Sequence, residues 1–377
     1  MSKNIVICCD GTGNEFKADG RSNVVKLYST LVINADQVGY YHPGVGTMGA
    51  PSADTWLGKK WTQLLGLGIG RGLLEDVGRA YGYLMETYAD GDHIFLFGFS
   101  RGAYTVRAVA GMLHMFGLLC PGNEGLIPYV TRMFARHTRE ALGTKQTLKM
   151  ADDFKQTFSR EVIIHFVGVW DTVSSVGWVY DPVVLPYSAR NPIMRTGRHA
   201  VSIDEHRAFF RNNLWGAPFQ PGDPDYRVDQ DIRQVWFAGV HSDVGGSYAE
   251  LESGLSKIAL EWMLAQARIA GLIIDDDKAK NLLPRVATPT MAAPDPKAQI
   301  HESLTPAWWG LELLPRHIYD RTTGKRRWTI PLGARRQIPA GSLVHQTVQD
   351  RIDDKETNYH PSNLPQAPGT EPWIRFP

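Results

Sequence analysis

Ser100 lies at the centre of Gly98-Phe99-Ser100-Arg101-Gly102, a Gly-x-Ser-x-Gly pentapeptide. The apolar run 94–99 predicts a buried strand before this serine, and the spacing of apolar residues over 103–119 predicts a helix after it. On a tight turn between a strand and a helix, a serine hydroxyl is held above the sheet, and the flanking glycines let the two elements approach closely. The pattern predicts a nucleophilic serine, and an ordinary strand-turn-helix junction is the alternative.

Asp171 and His241 also follow predicted strands. The apolar run 162–170 precedes Asp171, and the run 235–240 precedes His241. Because the carboxyl ends of parallel strands meet at one edge of a sheet, both side chains are expected near Ser100. Serine, aspartate and histidine in this chain order are typical of α/β-hydrolase triads and differ from the orders in other serine hydrolase folds. The order therefore predicts a catalytic triad of Ser100, Asp171 and His241.

Each member of this triad has a distinct expected role. A serine hydroxyl is a weak nucleophile at neutral pH, so His241 must take its proton during attack and later protonate the leaving group. Asp171 would fix the imidazole tautomer and stabilise the imidazolium. The developing oxyanion needs preorganised N–H donors, and the candidates are the backbone of Arg101 and the loop that contains Gly11 and Thr12.

Several of these positions have structural alternatives. A single aspartate after a strand is often a helix cap, and Asp171 could serve that purpose. Asp243, two residues after His241, could be the orienting acid instead, or a turn former. Asp10 could be a catalytic-loop residue, a metal ligand or the residue that holds the 11–14 turn, and the turn role is favoured. The chain has 12 histidines, so one that follows a strand can also arise by chance.

Alternating strands and helices are expected to position these residues. Further strand signals at 5–9 and around 39–41 alternate with apolar residues at helical spacing in the segments 23–33, 73–88 and 255–270. Such alternation requires right-handed crossovers and a largely parallel sheet. The expected fold is therefore α/β: an α/β-hydrolase-like, mostly parallel sheet with helices on both faces.

The remaining segments are assigned by their less regular composition. Residues 1–274 are predicted to form the core, with insertions or cap elements at 126–158 and 177–213 that cover the site. The second of these segments reads as a loop with one polar helical piece at 202–210. Residues 275–377 shift toward Pro, Arg and Trp with little periodicity, which predicts an irregular extension that wraps the core.

Composition and charge exclude several classes of protein. The 377 residues are 43% hydrophobic and 21% charged with a formal net charge of +1, which gives no electrostatic argument for nucleic-acid binding. The N-terminal apolar stretch is too short for a signal peptide, and no window approaches the ~20 apolar residues of a membrane span. Cys8, Cys9 and Cys120 form neither a disulfide framework nor a metal-ligand spacing. We expect cytoplasmic synthesis and a mechanism that needs no metal or cofactor.

Six blocks of the sequence resemble the successive signatures of one α/β-hydrolase family. They are Cys9-Asp10-Gly11-Thr12-Gly13-Asn14, Asn23-Val24-Val25-Lys26-Leu27, Gly44-Val45-Gly46-Thr47, Gly98-Phe99-Ser100-Arg101-Gly102-Ala103, Val169-Trp170-Asp171-Thr172-Val173 and Trp236-Phe237-Ala238-Gly239-Val240-His241-Ser242-Asp243-Val244-Gly245-Gly246. The family comprises mostly uncharacterised microbial proteins and includes the phospholipase effectors of the bacterial type VI secretion system. Tyr359-His360-Pro361-Ser362-Asn363-Leu364-Pro365 also resembles it. The resemblance implies a nucleophile at Ser100 and a base at His241, and it carries Asp171 over as the acid by its strand-end position.

The resemblance also implies a substrate class and partners. It indicates a serine esterase of the lipase or phospholipase type, which cleaves an acyl ester or phospholipid through an acyl-enzyme. If the protein is an effector, a signal-independent secretion system would export it, and the secretion apparatus or an immunity protein would be its partner. The candidates for peripheral membrane contact, for which packing on the core is the alternative, are Trp308, Trp309, Leu311, Leu313 and Leu314.

Two other functions compete with the serine esterase. A hydrolase-like scaffold could bind a partner or an acyl ligand without turnover, since one fold hosts many functions. A strand that ends in Asp10-Gly11-Thr12 also opens the aspartate-nucleophile phosphatases, but their other aspartate would be at position 8, which is Cys8. The intact serine, aspartate and histidine at three strand ends favour the esterase over both.

Overall fold

The computed structural model describes residues 2–11, 19–44, 69–139, 145–173, 177–178, 181–182, 185–320 and 325–376. Thr12, a predicted oxyanion-loop residue, lies outside these ranges. Residues 45–47 of the third sequence block and parts of the predicted 177–213 cap also lie outside them.

In the described ranges, eight strands form the central sheet, and every pair hydrogen-bonded there is parallel. In chain order they are β1 (Asn4–Cys9), β2 (Gln37–His42), β3 (His93–Phe99), β4 (Ile164–Trp170), β5 (Met194–Ser202), β6 (Asp231–Phe237), β7 (Leu343–His345) and β8 (Gly369–Glu371). Across the sheet the order is β8-β7-β6-β5-β4-β3-β1-β2. The strand order reverses between β3 and β1, which is where parallel α/β sheets form their ligand crevice.

Helices cover both faces of this sheet, which confirms the predicted α/β class. They are α1 (Asn23–Thr30), α2 (Ile69–Thr87), α3 (Arg101–Phe116), α4 (Ile127–Arg139), α5 (Lys145–Phe158), α6 (His241–Gly245), α7 (Gly254–Ile269), α8 (Asp276–Leu282), α9 (Pro306–Glu312) and α10 (Gln346–Asp353). Ile5 and Ile7 of β1 belong to the core beneath α2 and α3, whereas Val6 and Cys8 belong to the core beneath α1 and α7. Successive strand residues point to opposite faces, so β1 is apolar from Ile5 to Cys9 because both of its faces are buried there.

Shorter elements lie outside the sheet. Within the described ranges they include two 3-10 helices, Glu124–Leu126 and Glu250–Glu252. Three antiparallel pairs of short strands join Leu118–Leu119 with Ser159–Arg160, Gly177–Trp178 with Asp181–Pro182, and Arg316–Asp320 with Lys325–Thr329 in the described part of the chain.

The predicted insertion 126–158 forms α4 and α5, which join the helix layer on α2 and α3. Its buried apolar side chains belong to the same core cluster as those of α3, and they include Val130, Phe134, Ala151 and Phe154. Ala151 also lines, with His93 at the start of β3, a cavity of about 770 Å³. Ser100 follows the other end of β3, so this segment borders the edge of the sheet opposite to that serine. Phe210, which belongs to the segment 177–213, packs on the ring of His241.

β5 is a strand that the sequence pattern does not predict. It lies between β4 and β6, and residues 203–210, all of them described, form no helix, so the predicted helical piece at 202–210 is wrong. The strand contains Arg198 and His199, which interrupt any apolar run. Arg198 is buried, and its guanidinium donates hydrogen bonds to Gln266 and Asp231. The buried ring of His199 accepts a hydrogen bond from the Thr172 N–H. Buried polar groups of this kind carry no periodic signal.

The C-terminal region contributes to the sheet itself. β7 pairs with β6 and β8 pairs with β7, both in parallel register. The predicted boundary at residue 274 stays a prediction, but two of the eight strands come from beyond it.

Candidate active site

Ser100 occupies the turn between β3 and α3 with a φ of 58° and a ψ of −120°. A positive φ is uncommon for a residue with a Cβ, and such strain clusters at functional turns. The two glycines allow the turn to close: a Cβ on Gly98 would lie 2.5 Å from the carbonyl oxygen of Gly102, and a Cβ on Gly102 would overlap the carbonyl oxygen of Cys9. The glycines of the pentapeptide are therefore required by the turn that presents the serine.

Asp171 and His241 meet at the edge of the sheet where Ser100 lies. Trp170, the last residue of β4, is in register with Phe99, and its carbonyl oxygen accepts the Ser100 N–H at 3.1 Å. His241 begins α6, and its Nδ1 lies 2.5 Å from Oδ2 of Asp171. Since an ionised carboxylate only accepts hydrogen bonds, Nδ1 carries the proton and Nε2 keeps its lone pair. The structure thus brings two of the three predicted triad members into direct contact beside the third.

Two aromatic rings hold the imidazole of His241. The ring centroids of Phe99 and Phe210 lie 4.7 and 4.8 Å from that of the imidazole. α6 packs so closely on Phe99 that a Cβ on Gly245 would overlap the phenyl ring. Because Phe99 immediately precedes Ser100, this packing fixes the histidine next to the strained turn.

The backbone of α6 is held from two sides. Glu205 accepts the His241 N–H at 3.2 Å on Oε2, and Arg207 neutralises this buried carboxylate with hydrogen bonds of 2.8 and 2.9 Å. On the other side, Asn23 at the start of α1 donates to the carbonyl oxygen of Val244 at 2.9 Å. Residues from three separate parts of the chain therefore set the position of the histidine.

Burial and charge act in opposite directions on Asp171. Burial alone would raise its pKa, but the positive charge of Arg336 and the hydrogen bond from His241 outweigh burial and hold the pKa below its ordinary value. For His241, burial lowers the pKa and outweighs the opposing effect of Asp171. At neutral pH the pair is therefore a carboxylate and a neutral imidazole, which is the state that a general base requires.

Asp243, the alternative acid, pairs with a different histidine. Its Oδ1 lies 2.6 Å from Nδ1 of His301, and its Oδ2 accepts the N–H groups of Val240 and His301 at 3.0 and 3.1 Å. Burial raises the pKa of Asp243 above its ordinary value. Asp243 thus supports the first turn of α6, whereas Asp171 is the carboxylate hydrogen-bonded to the ring of His241.

The predicted oxyanion donors differ in their hydrogen bonding. Arg101 is the first residue of α3, where backbone N–H groups have no acceptor within the helix. The Gly11 N–H, by contrast, donates to Oδ1 of Asp10 at 2.6 Å. Arg101 is therefore the better placed of the two described donors.

Asp10 organises the loop after β1. Besides the Gly11 N–H, its carboxylate accepts hydrogen bonds from Ser22 Oγ at 2.5 Å and from the Tyr41 hydroxyl at 3.1 Å. Ser22 is also the N-cap of α1, where its Oγ accepts the Val25 N–H. These contacts fit a turn residue that ties the first loop to α1 and β2.

Three residues around Asp171 and His241 have no assigned role in the sequence pattern: Ser202, Glu205 and Arg336. The N–H and Oγ of Ser202 donate to Oδ1 of Asp171 at 3.0 and 3.1 Å. Arg336 donates from Nη1 to Oδ1 at 2.5 Å and from Nη2 to Oδ2 at 3.0 Å. Recognition of β5 would have nominated Ser202, which ends that strand at the same edge. Arg336 is 165 residues from Asp171, and no spacing in the sequence links the two.

Two further properties concern the described residues as a whole. Among them, no group of three or more His, Cys, Asp and Glu side chains is arranged to hold a metal ion. Likewise, no helix in the described ranges has both the length and the apolar character needed to cross a bilayer. Cys8 and Cys9 are buried free thiols, and Cys120 is an exposed one.

A yeast protein is similar to part of this chain. The uncharacterized protein YEL023C of Saccharomyces cerevisiae is 36% identical over 220 residues, which covers 55% of this chain and 32% of that protein. The chain thus spans about a third of the length of this relative.

Two solved structures are similar at low identity. An uncharacterized protein from Pseudomonas aeruginosa is 19% identical, with a TM-score of 0.44, over 78% of this chain and 49% of that one. The Tle1 effector bound to the VgrG spike of the type 6 secretion system is 18% identical, with a TM-score of 0.34, over 67% of this chain and 52% of that one. The fold assignment above therefore rests on the sheet of this chain and not on either superposition.

A family model gives a more extensive match. The model described as "T6SS, Phospholipase effector Tle1-like, catalytic domain" matches residues 3–266, which is well over half of the chain. This range contains Ser100, Asp171 and His241, and it agrees with the type VI phospholipase part of the resemblance seen in the sequence blocks. The chain belongs to the family of Tle1-like phospholipase effector catalytic domains of the type VI secretion system.

Proposed function

We propose that this protein is a serine hydrolase of the lipase or phospholipase type that cleaves an acyl ester through an acyl-enzyme. The observation that carries this proposal is the 2.5 Å contact between Asp171 and His241 beside the strained turn of Ser100. A nucleophile, a neutral base and an ionised acid in this arrangement support acyl transfer.

The proposed reaction has two halves. In the first, Nε2 of His241 takes the Ser100 hydroxyl proton while Oγ attacks the ester carbonyl carbon, and the backbone N–H of Arg101 donates to the resulting oxyanion. The imidazolium, stabilised by Asp171, then protonates the departing alcohol as the carbonyl re-forms on the acyl-enzyme. In the second half, His241 takes a proton from water, whose oxygen attacks the acyl carbon. The imidazolium then returns this proton to Ser100 Oγ as the ester bond breaks and the carboxylic acid leaves.

Apolar surface close to this site supports a lipid substrate. Trp308 of α9 packs on Phe210, which in turn contacts His241, with 5.4 Å between the Trp308 and Phe210 rings. In the same helix, Leu311 is buried, whereas Trp309 is 43% exposed. The apolar candidates from the sequence thus divide between core packing and exposure.

The exposed part continues beyond α9. Leu313 is 58% exposed, and Leu314 is exposed as well. Leu332, also 58% exposed, is brought beside them because its N–H donates to the carbonyl oxygen of Glu312 at 3.3 Å. Large exposed apolar side chains grouped near a site are typical of membrane or ligand contact, so we propose that this surface contacts the lipid phase.

Family membership supports a setting for this activity. We propose that the protein acts as an effector, that the type VI secretion apparatus exports it, and that the apparatus or an immunity protein is its partner. The competing functions have weaker support. Asp10, the remaining aspartate of the phosphatase motif, has both carboxylate oxygens engaged by hydrogen bonds, and a silent binding module requires no hydrogen-bonded acid and base beside a strained serine.

The pH dependence of hydrolysis should report His241. Only the neutral imidazole can accept the serine proton, so kcat/KM is expected to be constant at neutral pH and to fall on the acid side. Because burial lowers the pKa of His241, the midpoint should lie below the ordinary histidine value of ~6.5. A pH series with a soluble p-nitrophenyl ester measures it. A midpoint well above 7 would contradict the assignment.

Covalent labelling tests the proposed function. A fluorophosphonate probe should label the wild-type protein at a single residue, identified by peptide mass spectrometry, and should not label Ser100→Ala. Absence of labelling in folded wild-type protein would instead favour the non-catalytic scaffold. A parallel panel of short soluble esters and phospholipid vesicles tests the substrate, and activity confined to the short esters would remove the phospholipid assignment.

A further inference from the structure

Asp171 is bound by a charged residue that comes from the far end of the chain. Nη1 and Nη2 of Arg336 donate to its two carboxylate oxygens at 2.5 and 3.0 Å. Both side chains are buried, with 6% exposure for Arg336 and none for Asp171. Two parallel N–H···O bonds between a guanidinium and a carboxylate form the arrangement that fixes a carboxylate most strongly in orientation.

This ion pair shares its carboxylate with the triad histidine. Oδ2 accepts from His241 Nδ1 and from Arg336, whereas Oδ1 accepts from Arg336 and from the N–H and Oγ of Ser202. The guanidinium also donates to the carbonyl oxygen of Phe210, whose ring covers the imidazole. Arg336 therefore contacts both Asp171, the proposed acid, and Phe210, whose ring packs on His241.

The backbone of Arg336 is fixed by the C-terminal sequence block that resembles the family. Nδ2 of Asn363 donates to the carbonyl oxygens of Arg336 and Ile203 at 3.1 and 3.0 Å. The hydroxyl of Tyr359 donates to Asp204 at 2.7 Å, and the neighbouring Arg335 pairs with the same carboxylate. The C-terminal block 359–365 thus holds Arg336 against the residues that follow β5. No residue of this block takes part in the proposed reaction.

We propose that Arg336 is a positioning residue of the active site: it holds the Asp171 carboxylate with Oδ2 toward His241 and shares the negative charge of that carboxylate with the imidazole. The inference rests on the proposed triad. Arg336 lies beyond residues 3–266, the range that the family model matches. The proposal therefore gives the C-terminal region, which is outside that match, a part in the active site.

The charge of Arg336 has a predictable effect on the histidine. An unshared carboxylate attracts a proton to the adjacent imidazole strongly, and a guanidinium on the same carboxylate reduces that attraction. Among the described residues, Glu205 and Arg207 also act on His241 electrostatically, and they pair with each other. Asp243, two residues along the chain, is bound to His301. Loss of the Arg336 charge should therefore shift the acid limb of the pH profile to higher pH.

The test compares Arg336→Gln, Arg336→Lys and the matched control Arg233→Gln in the full chain. Arg336→Gln should lower the plateau of kcat/KM for a soluble ester by about 10–100-fold through misplacement of the acid. The same variant should also shift the acid limb of the pH profile to higher pH. Arg336→Lys keeps the charge but not the two-point contact, so the acid limb should stay near that of the wild type while the plateau still falls. Arg233→Gln removes a half-exposed arginine that pairs with Asp231, the first residue of β6, and it should change neither.

Each result has a defined meaning. A folded Arg336→Gln with the activity and acid limb of Arg233→Gln would overturn the inference, as would an Arg336→Lys with a wild-type plateau. If Arg336→Gln does not fold, the lysine variant decides, and failure of both to fold would assign Arg336 to the fold alone. Absence of fluorophosphonate labelling in the wild-type protein would overturn the proposed function instead, so the two failures are distinguishable.

Discussion

Replacement of Ser100 by alanine is expected to lower kcat/KM for ester hydrolysis by about 10⁴–10⁶-fold, since no other group in the proposed mechanism can form the acyl-enzyme. Steady-state rates on a soluble ester measure this loss, with active protein quantified by its folded fraction. The matched control is Ser29→Ala on the exposed face of α1, which removes a hydroxyl bonded only to the local Lys26 carbonyl oxygen and should leave the rate unchanged.

A glycine at position 100 distinguishes the loss of the nucleophile from the relief of backbone strain. Ser100 has a φ of 58°, which costs a residue with a Cβ about 1–3 kcal/mol and glycine almost nothing. Ser100→Gly should therefore be as inactive as Ser100→Ala but melt at a higher temperature. If Ser100→Ala kept more than a tenth of the wild-type activity, Ser100 would not be the nucleophile.

The strand ends that carry the proposed triad are predictable from apolar runs. The runs before Ser100, Asp171 and His241 are continuous because strands of a parallel sheet are buried on both faces. The apolar pattern does not predict β5, because this strand contains the polar residues Arg198 and His199. Their burial depends on hydrogen bonds to partners from other elements. A linear pattern records apolar burial, but it does not record polar burial that depends on partners distant in sequence.

The same limit applies to the environment of the triad. The strand ends and the chain order predict Ser100, Asp171 and His241 as the triad. They leave Asp243 open as an alternative to Asp171 for the acid. The choice depends on which carboxylate faces the imidazole, and the contact at 2.5 Å is a property of the folded chain. Arg336 illustrates the extreme case, since 165 residues separate it from the carboxylate that it binds.

Replacement of Asp171 by asparagine is expected to lower kcat by about 10⁴-fold, because an amide can hold the imidazole in the wrong tautomer and cannot stabilise the imidazolium. The same change leaves the guanidinium of Arg336 without its counter-charge, so the thermal midpoint should fall as well. Both are measured on the purified full chain, by steady-state hydrolysis of a soluble ester and by thermal unfolding.

Asp243→Asn is the matched comparison, since it makes the same chemical change in a buried aspartate two residues from His241. Asp243 bonds to the N–H of Val240 at the start of α6 and to His301, so its loss should cost about 1 kcal/mol of stability as a lost cap does. Its effect on kcat should remain below about tenfold, because the imidazole of His241 keeps its contact with Asp171. If Asp243→Asn lost more activity than Asp171→Asn while both stayed folded, the acid of the triad would be Asp243. The ratio of the two rates therefore decides which carboxylate orients the base.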